Sequence, residues 1–223
     1  MLIPDGTALD MGHLRQWMGR TQTDSDAIAA APIAGLLATL DYDVVTPRPG
    51  DPIPPLRHWL YFQPTQRQSE IGPDGHPKRA GFLLSVPLPR RMWAASRIGF
   101  ATPLHVGQLL SRISRIDDVQ MKAGRTGALV FVNVRHEIYA DNQLSITEEQ
   151  DIVYRDMPPP GEPALVGVTA PDSESWSRQI ERNDVYDVAP FLVCGRRQDA
   201  PSVKLCARTA EGHLAMDASA TLA

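Results

Sequence analysis

The chain is short of cysteine and of lysine. Its 223 residues include 2 Cys, Cys194 and Cys206. That excludes a disulfide scaffold and any four-cysteine metal site. The two thiols either pair across a late hairpin or stay free in a reducing compartment. Lysine occurs only at Lys78, Lys122 and Lys204, so nearly all of the 22 basic residues are Arg. Against 26 Asp and Glu they leave a formal charge of −4. A weakly acidic chain lacks the dense basic surface that a phosphate backbone requires, so no nucleic-acid partner is expected. No run of about 18 apolar residues occurs, so no helix is expected to span a membrane. The opening MLIPDGTALD carries Asp5 and Asp10 and no basic segment leading into an apolar one. That is not the pattern of a secretory leader, and the expected location is the cytoplasm, with no membrane partner.

Proline is abundant, at 20 residues. It clusters at Pro47–Pro55, Pro87–Pro89 and Pro158–Pro163 and marks loops. Apolar residues are 43% and charged residues 22%, values of a globular chain. The length fits one to two domains. Early in the chain, His13 to Met18 is a short helix candidate, and Thr23 with Asp26 is a weak capping-box variant. Ile33, Leu36, Leu37 and Leu40 repeat at helical spacing, with Pro32 suited to the first turn. One such helix with an apolar stripe needs a sheet to pack on.

The aromatic run His58 to Phe62 suggests a strand. Gly72 to Pro77 is turn chemistry. Met92 to Phe100 reads as a strand, and Val106 to Met121 as one long, bent strand. Lys122 to Gly127 reads as a turn. Ala128 to Tyr139 is the clearest strand, Ala140 to Gln143 a hairpin turn, and Leu144 to Tyr154 the return. Residues 1–155 therefore read as a helix followed by an antiparallel meander, an α+β pattern. Met157 to Gly161 is a stiff connector and the best domain boundary. After it come strand candidates at Trp176 to Glu181, Phe191 to Arg197, Val203 to Thr209 and His213 to Leu222. In the last, Leu214, Met216, Ala218, Ala220 and Leu222 line one face. No amphipathic helix of useful length follows residue 160. The second sheet is thus expected to pack on the first domain or to form a dimer through its apolar face.

The six histidines form no HExxH motif or close cluster with Cys or carboxylates, so no metal site is expected. No nucleophile elbow, phosphate loop or dinucleotide fingerprint occurs. Asn133 and His136 lie three apart on a strand and so point to opposite faces. His136 shares a face with Val130, Val132, Val134 and Ile138 and reads as a hydrogen-bonded histidine at the edge of the core. His58 and Trp59 follow a Pro-rich loop, at a pocket mouth or within an aromatic core cluster. Arg90 and Arg91 fork onto a phosphate or are solvated loop charges, and the same two readings hold for Lys122 and Arg125. Glu148 shares parity with Leu144, Ile146 and Ile152 and so faces inward. It is either a carboxylic acid with a raised pKa or an edge-strand charge.

HWLYFQP at 58–64, EIGPDGHPKRAGF at 70–82 and VPLPRRMWAASRI at 86–98 belong together with KAGRTGALVFVNVRHEI at 122–138 and SITEEQDIVYRD at 145–156. These phrases resemble the N-terminal half of 3-methylfumaryl-CoA (mesaconyl-CoA) hydratases, within the MaoC-like hydratase and dehydratase group. The C-terminal PFLVCGRRQ and VKLCARTAEGHLAMDASATLA are similar to the end of the same proteins. The resemblance implies hot-dog folds, an antiparallel sheet around a long helix. It gives one complete copy over 1–155 and an incomplete second copy over 156–223.

The resemblance further implies reversible addition of water to a branched or dicarboxylic enoyl-CoA thioester, without cofactor or metal. The expected partners are that acyl-CoA and either a second copy of the chain or another hot-dog subunit. His58, Trp59, Arg90, Arg91, Lys122 and Arg125 are the candidate substrate contacts. The family's catalytic Asp stands about five positions before a His. Here those positions hold Ala8, Ile53, Ile71, Phe100, Phe131 and Arg208. None is acidic, so no catalytic residue is carried over. The segment that would hold the motif is missing between Arg178 and Pro190. The alternative is therefore a non-catalytic acyl-CoA-binding protein or partner subunit.

Overall fold

The structure is a computed structural model. It describes residues 9–72, 76–78, 81–124, 127–157, 169–170, 176–180, 191–197, 202–209 and 211–221. The chain divides into two compact units, Met1–Pro159 and Pro160–Ala223.

In the first unit the elements are α1 (Met11–Arg15), β1 (Thr21–Ala27), α2 (Ala30–Thr39), β2 (Pro52–Ile53), β3 (Arg90–Phe100), β4 (Leu104–His105), β5 (Leu109–Gly124), β6 (Gly127–Ala140) and β7 (Gln143–Arg155). Five strands form one sheet in the order β1-β5-β6-β7-β3, and every neighbouring pair in it is antiparallel. β2 and β4 make a separate small pair. The hairpin between β6 and β7 turns through Asp141 and Asn142, at φ 47° and 68°. Two consecutive left-handed residues match the right-handed twist of the flanking strands, and Asp and Asn tolerate that region.

The sheet's inner face follows from strand parity. On β6 the even-numbered Val130, Val132, Val134 and Ile138 are buried. Cross-strand partners share a face, so the register adds Ile116 and Ser114 of β5 and Gln150, Glu148 and Ile146 of β7. Ser96 and Ile98 of β3 and Gln22 and Asp24 of β1 complete it. Apolar residues on this face form two separate clusters. One gathers Val130, Val132, Val134, Ile116 and Tyr154 under Leu14 of α1 and Leu84, Val86 and Leu88. The other gathers Ile138, Ile146 and Leu110 under Ile33 of α2, with Ile53 and Tyr61. Between them a belt of polar side chains crosses the sheet.

Several sequence expectations need correction. The run from His58 to Phe62 is not a strand: Arg57–Leu60 is a 3-10 turn. Leu56 and Phe62 bracket it at φ 70° and 58°, and a left-handed residue breaks an extended run. Thr23 and Asp26 do not cap a helix, because their backbone pairs with Ile113 and Leu110 of β5. α2 begins after Ala29, which offers no side-chain cap. α1 starts earlier than His13, since the Asp10 carboxylate accepts a 3.0 Å hydrogen bond from the His13 amide and sets the cap. Lys122 to Gly124 extends β5 rather than belonging to a turn.

The second unit holds β8 (Trp176–Ile180), β9 (Phe191–Arg197), β10 (Ser202–Thr209) and β11 (Leu214–Thr221), in the order β11-β10-β9-β8. Cys194 and Cys206 are register partners across β9 and β10, and neither is in a disulfide. Met216 on β11 is exposed. Among the described residues of this unit there is no helix. The interval from 181 to 190, where the family motif is missed, lies outside the described residues. No helix of the described residues is long and apolar enough to cross a membrane.

Candidate functional site

The polar belt centres on Glu148, whose side chain is buried. Its register partners are Ile98 on β3 and His136 on β6. His136 in turn faces Ser114 on β5, and Ser114 Oγ lies 2.8 Å from His136 Nδ1. A carboxylate here would be costly without partners, and Glu148 has four. Trp59 Nε1 donates to both of its oxygens at 3.2 and 3.1 Å. Ser96 Oγ donates at 3.1 Å and Gln150 Nε2 at 2.9 Å. His58 Nε2 lies 3.3 Å from Oε2. Burial pushes the Glu148 pKa up, but the hydrogen bonds from His58, Gln150 and Trp59 outweigh it and bring the pKa down to about 2. Glu148 is therefore ionised and accepts only, so the proton between it and His58 sits on Nε2.

The 3-10 turn delivers His58 and Trp59 to the sheet. Tyr61 Oη donates to the Ala29 carbonyl at 2.7 Å, and the Phe62 amide donates to Asp26 Oδ2 at 2.6 Å. These two ties hold a segment whose left-handed Leu56 and Phe62 cost on the order of 1–3 kcal/mol each. His58 Nδ1 is buried and takes no hydrogen bond. The His58 ring meets Trp59 and the edge of Phe100, with centroids 5.5 and 6.0 Å apart.

Around this group lies a cleft of about 420 Å³, lined by His58, Trp59, Phe62, Trp93, Arg112, His136, Glu148 and Gln150, among others. Arg112 is its cation. Its Nη2 donates to Asp24 at 2.8 Å, and its guanidinium lies 4.6 Å from the Phe62 ring centre. Burial and the neighbouring Arg112 both push the His136 pKa down, so its imidazole is neutral at pH 7. Phe62, Gln63, Pro64, Trp93, Arg112 and Gln150 also line a groove of about 1100 Å³ that adjoins the cleft and runs to Lys78 and Arg91. Chemically, the arrangement offers a fixed anion, an imidazole it orients, aromatic walls and one guanidinium. It suits a small polar group with a longer chain lying in the groove.

The residues singled out in the sequence fall in different places. His58 and Trp59 line the cleft. Arg91 lines the adjoining groove. Arg90 pairs with Arg155 and so belongs to the opposite face of the sheet. Lys122 is on that outer face too, its Nζ 4.8 Å from the Phe131 ring centre. Arg125 lies outside the described residues. Glu148 does face inward, with its pKa lowered rather than raised. Ser96, Arg112, Ser114 and Gln150 were not singled out. Their parity was readable, but only the cross-strand register shows that they converge on one belt. Among the described residues no three or more His, Cys, Asp or Glu side chains gather as a metal site.

Residues 56–186 match the family model of hydroxyacyl-thioester dehydratases type 2. A mesaconyl-C(4)-CoA hydratase of Chloroflexus aurantiacus is 46% identical over 147 residues, 66% of this chain and 51% of its own length. The chain thus spans about half the length of this curated relative. Among solved structures, HtdX of Mycobacterium tuberculosis is similar in fold. Its TM-score is 0.50 at 12% identity, covering 90% of this chain and 98% of that one. A MaoC-like dehydratase of Phytophthora capsici gives a TM-score of 0.48 at 9% identity, covering 96% of this chain and 100% of that one.

Proposed function

The chain belongs to the hydroxyacyl-thioester dehydratase type 2 family, and on that premise we propose that it is a hydratase/dehydratase-type lyase acting on a branched or dicarboxylic enoyl-CoA. The observation that carries this reading is the buried, fully hydrogen-bonded Glu148 at the base of a cleft with an adjoining long groove. The acyl group lies in the cleft against His58, Trp59 and Trp93. The chain of the thioester follows the groove, where Arg91 meets anionic groups. Arg90 and Lys122 stand on the opposite face of the sheet, away from the cleft, while Arg125 remains a candidate contact. Residues 1–155 act as a complete hot dog and 156–223 as an incomplete one, working as a homodimer or with another hot-dog subunit. A soluble acyl-CoA is the ligand, with no cofactor in the reaction.

Hydration needs a base to activate water, an acid to protonate the α-carbon, and donors for the developing enolate oxygen. In this cleft Glu148 is held ionised and saturated with donors, which fits an orienting anion and not an acid. His58 presents Nδ1 as the end not bound to Glu148. A second reading is a non-catalytic acyl-CoA-binding protein or partner subunit. It is favoured by the absence of an acidic residue five positions before any of the six histidines.

The test is the hydration of mesaconyl-CoA by the pure chain, followed by loss of enoyl-thioester absorbance, with calorimetric titration of butyryl-CoA beside it. Turnover supports the lyase. Binding without turnover supports the second reading. Neither binding nor turnover overturns both.

A further inference from the structure

A second cavity of about 720 Å³ lies beside the cleft, and its chemistry is different. It is walled by Leu36 and Leu37 of α2, by Leu40 just after that helix, and by Leu56, Leu60 and prolines 54 and 55, with only Asp43 and Arg57 bringing charge. The volume is in the range of small-molecule sites. Leu56 is 45% exposed and Tyr42 51%, so apolar side chains stand open there. Among the described lining residues, Trp59 alone belongs to both this groove and the polar cleft.

Trp59 is firmly placed. Its Nε1 edge is held by both oxygens of Glu148. Its ring meets Trp93 edge-on at 6.5 Å and 77°. The turn that carries it is bracketed by left-handed Leu56 and Phe62. Strain at non-glycine residues persists only where the surroundings over-determine it, and here it fixes an indole between two cavities.

We infer that the Trp59 indole is the wall that limits acyl length, closing the acyl cleft off from a leucine-lined groove that would otherwise take the hydrocarbon tail of a thioester. The inference rests on the thioester reading and adds to it a limit on acyl length. With Trp59 in place the cleft takes short acyl groups. With the indole removed, cleft and groove join, and a straight chain extends over Leu36, Leu37 and Leu40. The groove wall is chiefly leucine and proline, with charge only at Asp43 and Arg57, so the class that gains is unbranched alkyl.

The experiment is calorimetric titration of the 223-residue chain with butyryl-, hexanoyl-, octanoyl- and decanoyl-CoA. Wild type is expected to bind butyryl-CoA with no gain on lengthening. Trp59→Ala is expected to gain up to about fourfold per added methylene, with octanoyl-CoA at least tenfold tighter than butyryl-CoA. Trp59→Phe keeps a ring without the Nε1 donor and should retain the flat profile, which separates the wall from the hydrogen bond. Trp59→Leu, a smaller plug, gives a second length series should the alanine variant fail to fold. Leu36→Arg added to Trp59→Ala should abolish the gain. A wild-type affinity that already climbs with length, or a flat profile in folded Trp59→Ala and Trp59→Leu that still bind butyryl-CoA, overturns the Trp59 wall alone. Absence of butyryl-CoA binding by wild type overturns the length limit, and together with absence of mesaconyl-CoA turnover it overturns the thioester reading beneath it.

Discussion

His58 and Glu148 stand 90 positions apart in the chain, yet His58 Nε2 and Glu148 Oε2 meet at 3.3 Å with both side chains buried. The contact joins the 3-10 turn to the middle of the sheet at the gap between two apolar clusters. It makes the polar belt both a structural junction and the floor of the cleft.

Replacing Glu148 by Ala strands the donors of Trp59, Ser96, Gln150 and His58 in a buried place. The expected loss is about 3–5 kcal/mol of unfolding free energy. Glu148→Gln keeps the volume and part of the acceptance and should lose about 1–3 kcal/mol. Urea denaturation at pH 7 measures both. Equal stability of wild type and Glu148→Ala would show that the network holds nothing.

The pH dependence has a definite sign. The Glu148 pKa is lowered from 4.5 to about 2 on folding. The folded state therefore releases this proton more readily than the unfolded one. The contribution is complete above pH 4.5 and is lost as pH falls from there toward 2. It amounts to about 3 kcal/mol. His136, with its pKa pushed down by burial and by Arg112, adds a loss of the same sign that begins below its ordinary value of 6.5. Chemical denaturation between pH 2.5 and 7 should give a falling curve, and Glu148→Gln should flatten its acidic part.

Ile33 is the buried residue of α2, at 1% exposure, and fastens the helix over Leu110, Ile138 and Ile146. Ile33→Ala should cost about 2–5 kcal/mol, from lost burial and the cavity it leaves. Pro32→Ala, half-buried in the first turn, should change stability by less than about 1 kcal/mol. Thermal melts of the two variants side by side test the assignment of that helix face.

At the β6–β7 turn, Asn142 holds φ 68°. Asn142→Gly should be neutral or stabilising by up to about 1 kcal/mol, and Asn142→Val should cost about 1–3 kcal/mol, because a β-branched side chain is strained there. Since this turn sets the register that brings Glu148 opposite His136, the valine variant should also weaken butyryl-CoA binding in calorimetry.

The sequence by itself located the four long strands between Arg90 and Arg155 to within a few residues, because their alternation of apolar residues and most of their turn chemistry are local, although it read Lys122 to Gly124 as turn instead of strand. It also placed Glu148 and His136 on the inward face, because parity alone fixes that. It led to a strand at His58 to Phe62, because aromatic composition says nothing of the left-handed Leu56 and Phe62, whose conformations are held by the distant Asp26 carboxylate and Ala29 carbonyl. Tertiary structure alone decided that Ser96, Arg112, Ser114 and Gln150 join Glu148 in one belt, since register is a property of paired strands and not of any one of them. It also decided the ionisation of Glu148. A buried carboxylate rises or falls in pKa according to the donors that reach it, and here His58 and Trp59 come from 90 and 89 residues away.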